Sequence, residues 1–172
     1  LMTGNVLLVL SLAAVLVACI GYILAARGES RALLHARRAV VVFCACILLA
    51  SAYLMALLVS DSFGVAYVSQ HSAKAQPLVY KASAFWGGHE GSLLLWLLCG
   101  AIYTLVVGIV LRRDHAAALE PPAMAVMSAL QLFPLVMLLR ESPFRALPVV
   151  PIDGGGLDPV LMDPYMAIHP PV

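Results

Sequence analysis

Four long apolar stretches dominate the chain, at 5–26, 39–59, 86–111 and 122–139, and most polar positions are confined to the segments between them. A run of about 20 apolar residues crosses a bilayer as a helix, because a helix satisfies its own backbone N–H and C=O groups where no water can. The pattern therefore predicts about four transmembrane helices. The first stretch is uncharged and lacks a basic leader and a small-residue cleavage site, so it reads as a retained span and not as a signal peptide. The third is strictly uncharged only from Gly91 onward. The fourth contains Pro134, which removes one helix donor and predicts a kink.

The connections differ in length and charge. "RGESRALLHARR" and "RRDHAAALEP" are short, and they hold six of the ten Lys and Arg residues: Arg27, Arg31, Arg37, Arg38, Arg112 and Arg113. The positive-inside rule assigns both to the cytoplasm or its equivalent. The loop 60–85 and the tail 140–172 then face outward, with two basic residues each. The first mixes Ser, Gln, Lys and aromatics and has room for a short interfacial helix. Seven prolines and "DGGGLDP" in the second predict a compact loop without long regular elements. The ending "HPPV" reads like the entry to a further span, since proline suits the first turn of a helix. The expected fold class is all-α integral membrane, with two irregular outer loops, as the N-terminal part of a larger polytopic bundle. The chain 1–172 reads as one membrane module, incomplete by itself.

Composition agrees with this pattern. The chain is 63% apolar and 11% charged, against about half and about a quarter in soluble domains, and its mean hydropathy is +0.99. A net charge of +1 gives no reason to expect nucleic acid. Cys19, Cys44, Cys46 and Cys99 all lie in apolar runs, where small buried hydrophobes are the ordinary reading and a disulfide framework is not implied. In "CAC" the two thiols stand about 200° apart on a helix, unsuited to joint chelation. No C-x-x-C-H haem-attachment motif occurs.

The densest chemistry is "FWGGHEGSLLLWLL", 85–98. On a helix, one flank would present Trp86, His89, Glu90 and Trp96 together. Gly87, Gly88 and Gly91 would leave neighbouring surfaces bare for a second backbone or a planar ligand. The plainer reading is an interfacial Trp belt with a solvated His–Glu pair. His169 is a second candidate: Pro170 favours extended backbone before it, which holds the imidazole out from the chain, and neutral imidazole is a common metal and haem ligand. It also reads as an ordinary loop histidine. His35 and His115 fall in the basic loops and read as solvated, and nothing around His71 suggests a motif. Lys74 and Lys81 have the reach to meet a carboxylate or a propionate, although such lysines more often snorkel.

"WGGHEGSLLLW", followed about 70 residues later by "MDPYMAIHPP", resembles the N-terminal region of the CcmF family, the membrane haem lyases of cytochrome c maturation and their nitrite-reductase-associated relatives. "DSFGVAYVSQHSAKAQPLVYKASAFWGGHEGSLLLW", "SPFRALP" and "DGGGLDPVLMDPYMAIHPP" extend the resemblance through both outer loops. It implies a haem at the outer surface, with His169, in the His-Pro-Pro element, as one axial ligand to iron. The tryptophan-rich loop, the second outer histidine and the histidines of a permanent haem b come later in the family's chain.

With His169 as the ligand, Trp86, Gly87, Gly88, His89, Glu90 and Gly91 are cofactor-binding candidates that would shape or support the haem pocket; for His89 and Glu90 the roles open are orienting a propionate or a thiol, proton transfer, and bridging helices. The partners implied are the rest of the haem lyase, fused or separate, a haem chaperone, apocytochrome c with its thiol-handling subunits, and the lipid bilayer. The setting implied is a bacterial inner membrane with the site facing the periplasm, or a mitochondrial inner membrane with it facing the intermembrane space. Two other readings follow from the residues alone. One is an ion- or proton-coupled transporter subunit with His89 and Glu90 as a relay. The other is a structural subunit of a respiratory complex.

Overall fold

The computed structural model describes residues 2–113, 117–163 and 165. Four helices are long and apolar enough to cross a membrane: α1 (Met2–Ala26), α2 (Ser30–Val59), and the two that become α5 (His89–Arg113) and α6 (Glu120–Arg140) once the short α3 (Ala66–His71) and α4 (Leu78–Ser83) are counted. No strand occurs among the described residues. The α2 helix begins nine residues before the apolar run does. Nothing in "SRALLHARR" breaks a helix, so its polar first turns simply continue the span. The α6 helix runs on through Pro134, with Pro121 and Pro122 at its first positions, where a missing N–H costs nothing.

The helices form a closed square in which α1 packs on α2 and α6, and α5 packs on α2 and α6. All four neighbour pairs are antiparallel, so the short connections meet at one end and the long ones at the other. Between α1 and α2 small residues allow a close approach at the end near the short connection, beside larger side chains such as Tyr22 and Val40. Ala18 and Ala36 are fully buried, and Gly21 lies so near Ala36 that a Cβ there would sit 2.9 Å from the alanine methyl. Without a hydrophobic drive between helices in lipid, such close backbone approach supplies the packing energy. The thiols of Cys44 and Cys19 point at carbonyls of neighbouring helices, Ala101 O at 3.2 Å and Ala125 O at 3.8 Å. Large apolar side chains such as Leu48, Leu49, Ile102, Val126 and Phe133 remain exposed on the outside, as a hydrocarbon solvent permits.

The two long connections fold on each other as a cap. An isolated antiparallel bridge joins Val65 to Ala146, with Ala66 N–H donating to Arg145 O at 2.9 Å and Leu147 N–H to Gly64 O at 2.9 Å. Further on, Gly155 N–H donates to Ser69 O (2.8 Å), Gly156 N–H to Ser72 O (3.2 Å), and Leu157 N–H to the Gln76 side chain (3.2 Å). Phe144 fastens the cap to the bundle: it lies over Gly4 of α1 and its ring meets Tyr53 of α2 at a centroid distance of 5.7 Å. After α6 the described residues form one short 3-10 turn, Pro159–Met162, in keeping with the proline-rich composition of this tail.

Candidate functional site

The conspicuous run 85–91 turns out to be a tight link between α4 and α5. Trp86 and Gly87 donate their N–H groups back to Ser83 O (3.1 Å) and Ala84 O (3.2 Å), and α5 starts at His89. Trp86 therefore lies in the turn and not on the helix, so it does not share a helical flank with His89, Glu90 and Trp96. The physical reason is the glycine pair at 87 and 88, which lets the chain bend where a continuous helix was expected.

The glycine surfaces are not bare. Tyr67 of α3, only 2% exposed, fills the space beside Gly91, and a Cβ there would overlap both its hydroxyl and Phe85 O. His71 lies against Gly88, and Leu157 of the tail lies against Gly87, where a Cβ would come within 2.6 Å of it. The Tyr67 hydroxyl accepts from Gly88 N–H at 3.1 Å and stands 2.9 Å and 3.1 Å from the carbonyls of Ala84 and Phe85 as their donor. Burial, with the Glu90 charge adding, pushes its pKa up, despite opposing backbone hydrogen bonds; it remains a neutral hydroxyl. The His71 ring stacks on Tyr67 with centroids 4.3 Å apart, and its Nδ1 lies 2.9 Å from Tyr67 O.

His89, the first residue of α5, is largely exposed and faces Glu141 just beyond α6, Nε2 to Oε2 3.6 Å. Glu90 is half-buried beside it. Beneath His89 a groove of about 460 Å³ opens between α5 and α6, lined by Ser92, Leu93, Trp96, Leu130, Phe133 and Pro134. The structure thus joins His89 to Trp96 along one groove, and places Trp86 and the three glycines in the wall of the cap. His169 and His115 lie outside the described residues. Among the described residues, no group of three His, Cys, Asp or Glu side chains is placed to hold a metal ion.

Sequence reasoning missed the residues that organise this wall. Tyr67 and His71 sit in a six-residue helix too short to show a periodic pattern. Lys81, 7% exposed, does not snorkel; of the two courses open to it from sequence it meets a carboxylate, that of Asp61 across the cap, although the sequence did not name the partner. At the opposite end Glu120, read as part of a short polar loop, is fully buried between Arg37 and Arg112.

Fold and site together define a four-helix membrane module whose two long connections lock into one cap over a turn rich in glycine and aromatics. No family model matches the sequence. Individual proteins do match. The chain is 34% identical over 173 residues to the cytochrome c-type biogenesis protein CcmF of Haemophilus influenzae, covering 98% of this chain and 26% of that protein. CcmF of Escherichia coli K12 is 36% identical over 152 residues, 86% of this chain and 23% of the relative. CcmF of Pseudomonas aeruginosa is 43% identical over 114 residues, 65% and 17%. A solved structure titled Cytochrome c Heme Lyase CcmF superposes with a TM-score of 0.74 at 30% identity, over 85% of this chain and 25% of that one. The chain belongs to the CcmF family and corresponds to an N-terminal part of it. It spans about a quarter of the length of the first two relatives and 17% of the third. The resemblance carried by "WGGHEGSLLLW" and "MDPYMAIHPP" is thereby borne out, as is the all-α membrane fold.

Proposed function

We propose that this chain is the N-terminal module of a membrane haem lyase, and that its cap end helps to hold haem for thioether attachment to apocytochrome c. The observation that carries the reading is the interlocked cap. Residues 69–76 and 153–157 are hydrogen-bonded to each other beside the Trp86–Gly91 turn, so the segment leading towards His169 and the turn belong to one surface. Family membership and the solved haem lyase of the same fold support it.

The donor chemistry of the described residues fits haem in one place and not in another. His89 offers an imidazole at the mouth of an aromatic, apolar groove with Trp96 and Phe133, suited to a planar macrocycle. Gly87, Gly88 and Gly91 offer no cradle, because this chain's own side chains fill them; their part is to build the wall that supports the site. In this proposal His169 would hold the haem iron through its imidazole, and the haem would be of b type until attachment. Haem and the apocytochrome thiols supply the bond-forming chemistry, and the protein supplies binding and orientation. The cap would face the periplasm of a bacterium, or the intermembrane space of a mitochondrion, with the rest of the lyase, a haem chaperone and apocytochrome c as partners.

Absorption spectra of the complete purified lyase test this. The His169→Gly variant should lose haem, and external imidazole should restore it. Unchanged haem content in His169→Gly would show that this histidine is not a ligand.

A further inference from the structure

At the end of the bundle opposite the cap, Glu120 is buried to 0% exposure behind two guanidiniums. Arg37 donates to it from Nε (2.9 Å) and Nη2, and Arg112 from Nε (2.9 Å), while both arginine side chains stay about one-third exposed, at 33% and 30%. The carboxylate fixes the two forks, and Arg112 also faces the buried Tyr22 hydroxyl, while both guanidiniums keep an exposed side towards the groove. Arg38 is exposed beside them and has no acidic partner among the described residues. These three arginines line an open groove of about 630 Å³, whose other walls are Leu34, Val41 and Val42. Among the described residues, three cationic groups face one buried carboxylate there, which makes the mouth positive.

The groove changes character along α2. Arg38, Val41 and Val42 stand at i, i+3 and i+4, on one face and about one turn apart. Val41 and Val42 are half-exposed and lie towards the middle of the span. Donor-only chemistry thus gives way to an apolar channel within about 5 Å. A free anion would use only the first half of that profile; an anionic amphiphile matches both halves. We infer that the Arg37–Arg38–Arg112 groove binds an anionic phospholipid, its phosphate at the guanidiniums and an acyl chain along Val41 and Val42. Glu120 acts as the positioning residue that holds two of the three forks in place, since a fixed guanidinium recognises phosphate better than a freely rotating cation.

The test uses the complete lyase carrying this module, purified in detergent and titrated with phosphatidylglycerol or phosphatidylcholine under native mass spectrometry. Phosphatidylglycerol should be retained in preference. Arg38→Gln, which breaks no ion pair among the described residues, should weaken that retention about fivefold without changing the melting temperature. Arg31→Gln, an exposed arginine on the same helix outside the groove, should leave it unchanged. Inorganic phosphate should not displace the lipid. Equal retention of both lipids would overturn the proposal, as it would if another helix of the polypeptide covered the groove. Equal losses in the two arginine variants would reduce it to diffuse surface charge, and displacement by phosphate would remove the lipid from it.

Discussion

Lys81 Nζ lies 2.6 Å from each carboxylate oxygen of Asp61, and the lysine side chain is the more buried partner, 9% exposed against 25%. Asp61 has φ +53, in the left-handed region that Asp and Asn tolerate better than most residues. The pair ties α4 to the end of α2 and so sets where the turn at 84–88 begins. Asp61→Asn keeps the backbone preference but strands a buried ammonium, and should lower stability by roughly 1.5–3 kcal/mol. Lys81→Met strands only the better-solvated carboxylate and should cost less. Thermal unfolding of both single variants and the double variant checks this: the double should be less destabilised than the sum.

Gly91→Ala should destabilise the cap by about 1–3 kcal/mol, as overpacking of a filled site does, because its methyl would meet the Tyr67 hydroxyl and Phe85 O. Gly64→Ala is the matched control, with its nearest neighbour 3.6 Å away, and should be nearly silent. Melting temperature together with proteolysis of the 60–88 loop reads both variants.

Removing the inner carboxylate should also be costly. Glu120→Gln leaves Arg37 and Arg112 facing each other without their shared negative charge and puts an NH2 donor where one carboxylate oxygen accepted; a loss of about 3 kcal/mol is expected, the low end for breaking a buried pair because the guanidiniums are partly solvated. By contrast, Glu141→Gln at the exposed His89 contact should cost less than about 1 kcal/mol. The ratio of the two shifts in melting temperature is the measurement.

Asp153 gives the cap an acid limit. Backbone N–H groups of Lys74 (2.9 Å) and Gly154 (2.8 Å) hold its carboxyl below the usual Asp range. A carboxyl with a depressed folded pKa stabilises the fold above its unfolded value and loses that contribution as pH falls through the folded one. Amide protection of Lys74 and Gly154 should therefore be flat between pH 7 and 5 and decline below about pH 4. In Asp153→Asn that decline should disappear.

Much of this molecule is legible one residue at a time. Four apolar runs separated by alternating short basic and long mixed connections dictate four antiparallel spans, because a bilayer admits little else. The specific runs around Trp86–Gly91 and the His-Pro-Pro element identified the family before any fold was known. The helix limits were less legible. Polar residues at 30–38 continue α2 because no residue there stops a helix, whereas Gly87 and Gly88 delay α5 and take Trp86 off it.

What the sequence by itself determined, then, is the class of fold, the number of spans and the family, since each rests on local composition or on contiguous motifs. Only the tertiary structure decided that Tyr67, His71 and Leu157 occupy the glycine surfaces, that Lys81 meets Asp61, and that Glu120 is buried between Arg37 and Arg112. Partners in those contacts are up to 83 residues apart, as in Arg37–Glu120, and charge or size at one position carries no mark of its distant neighbour. Such pairings exist only once the helices have closed into their square and the two long connections have folded over its end.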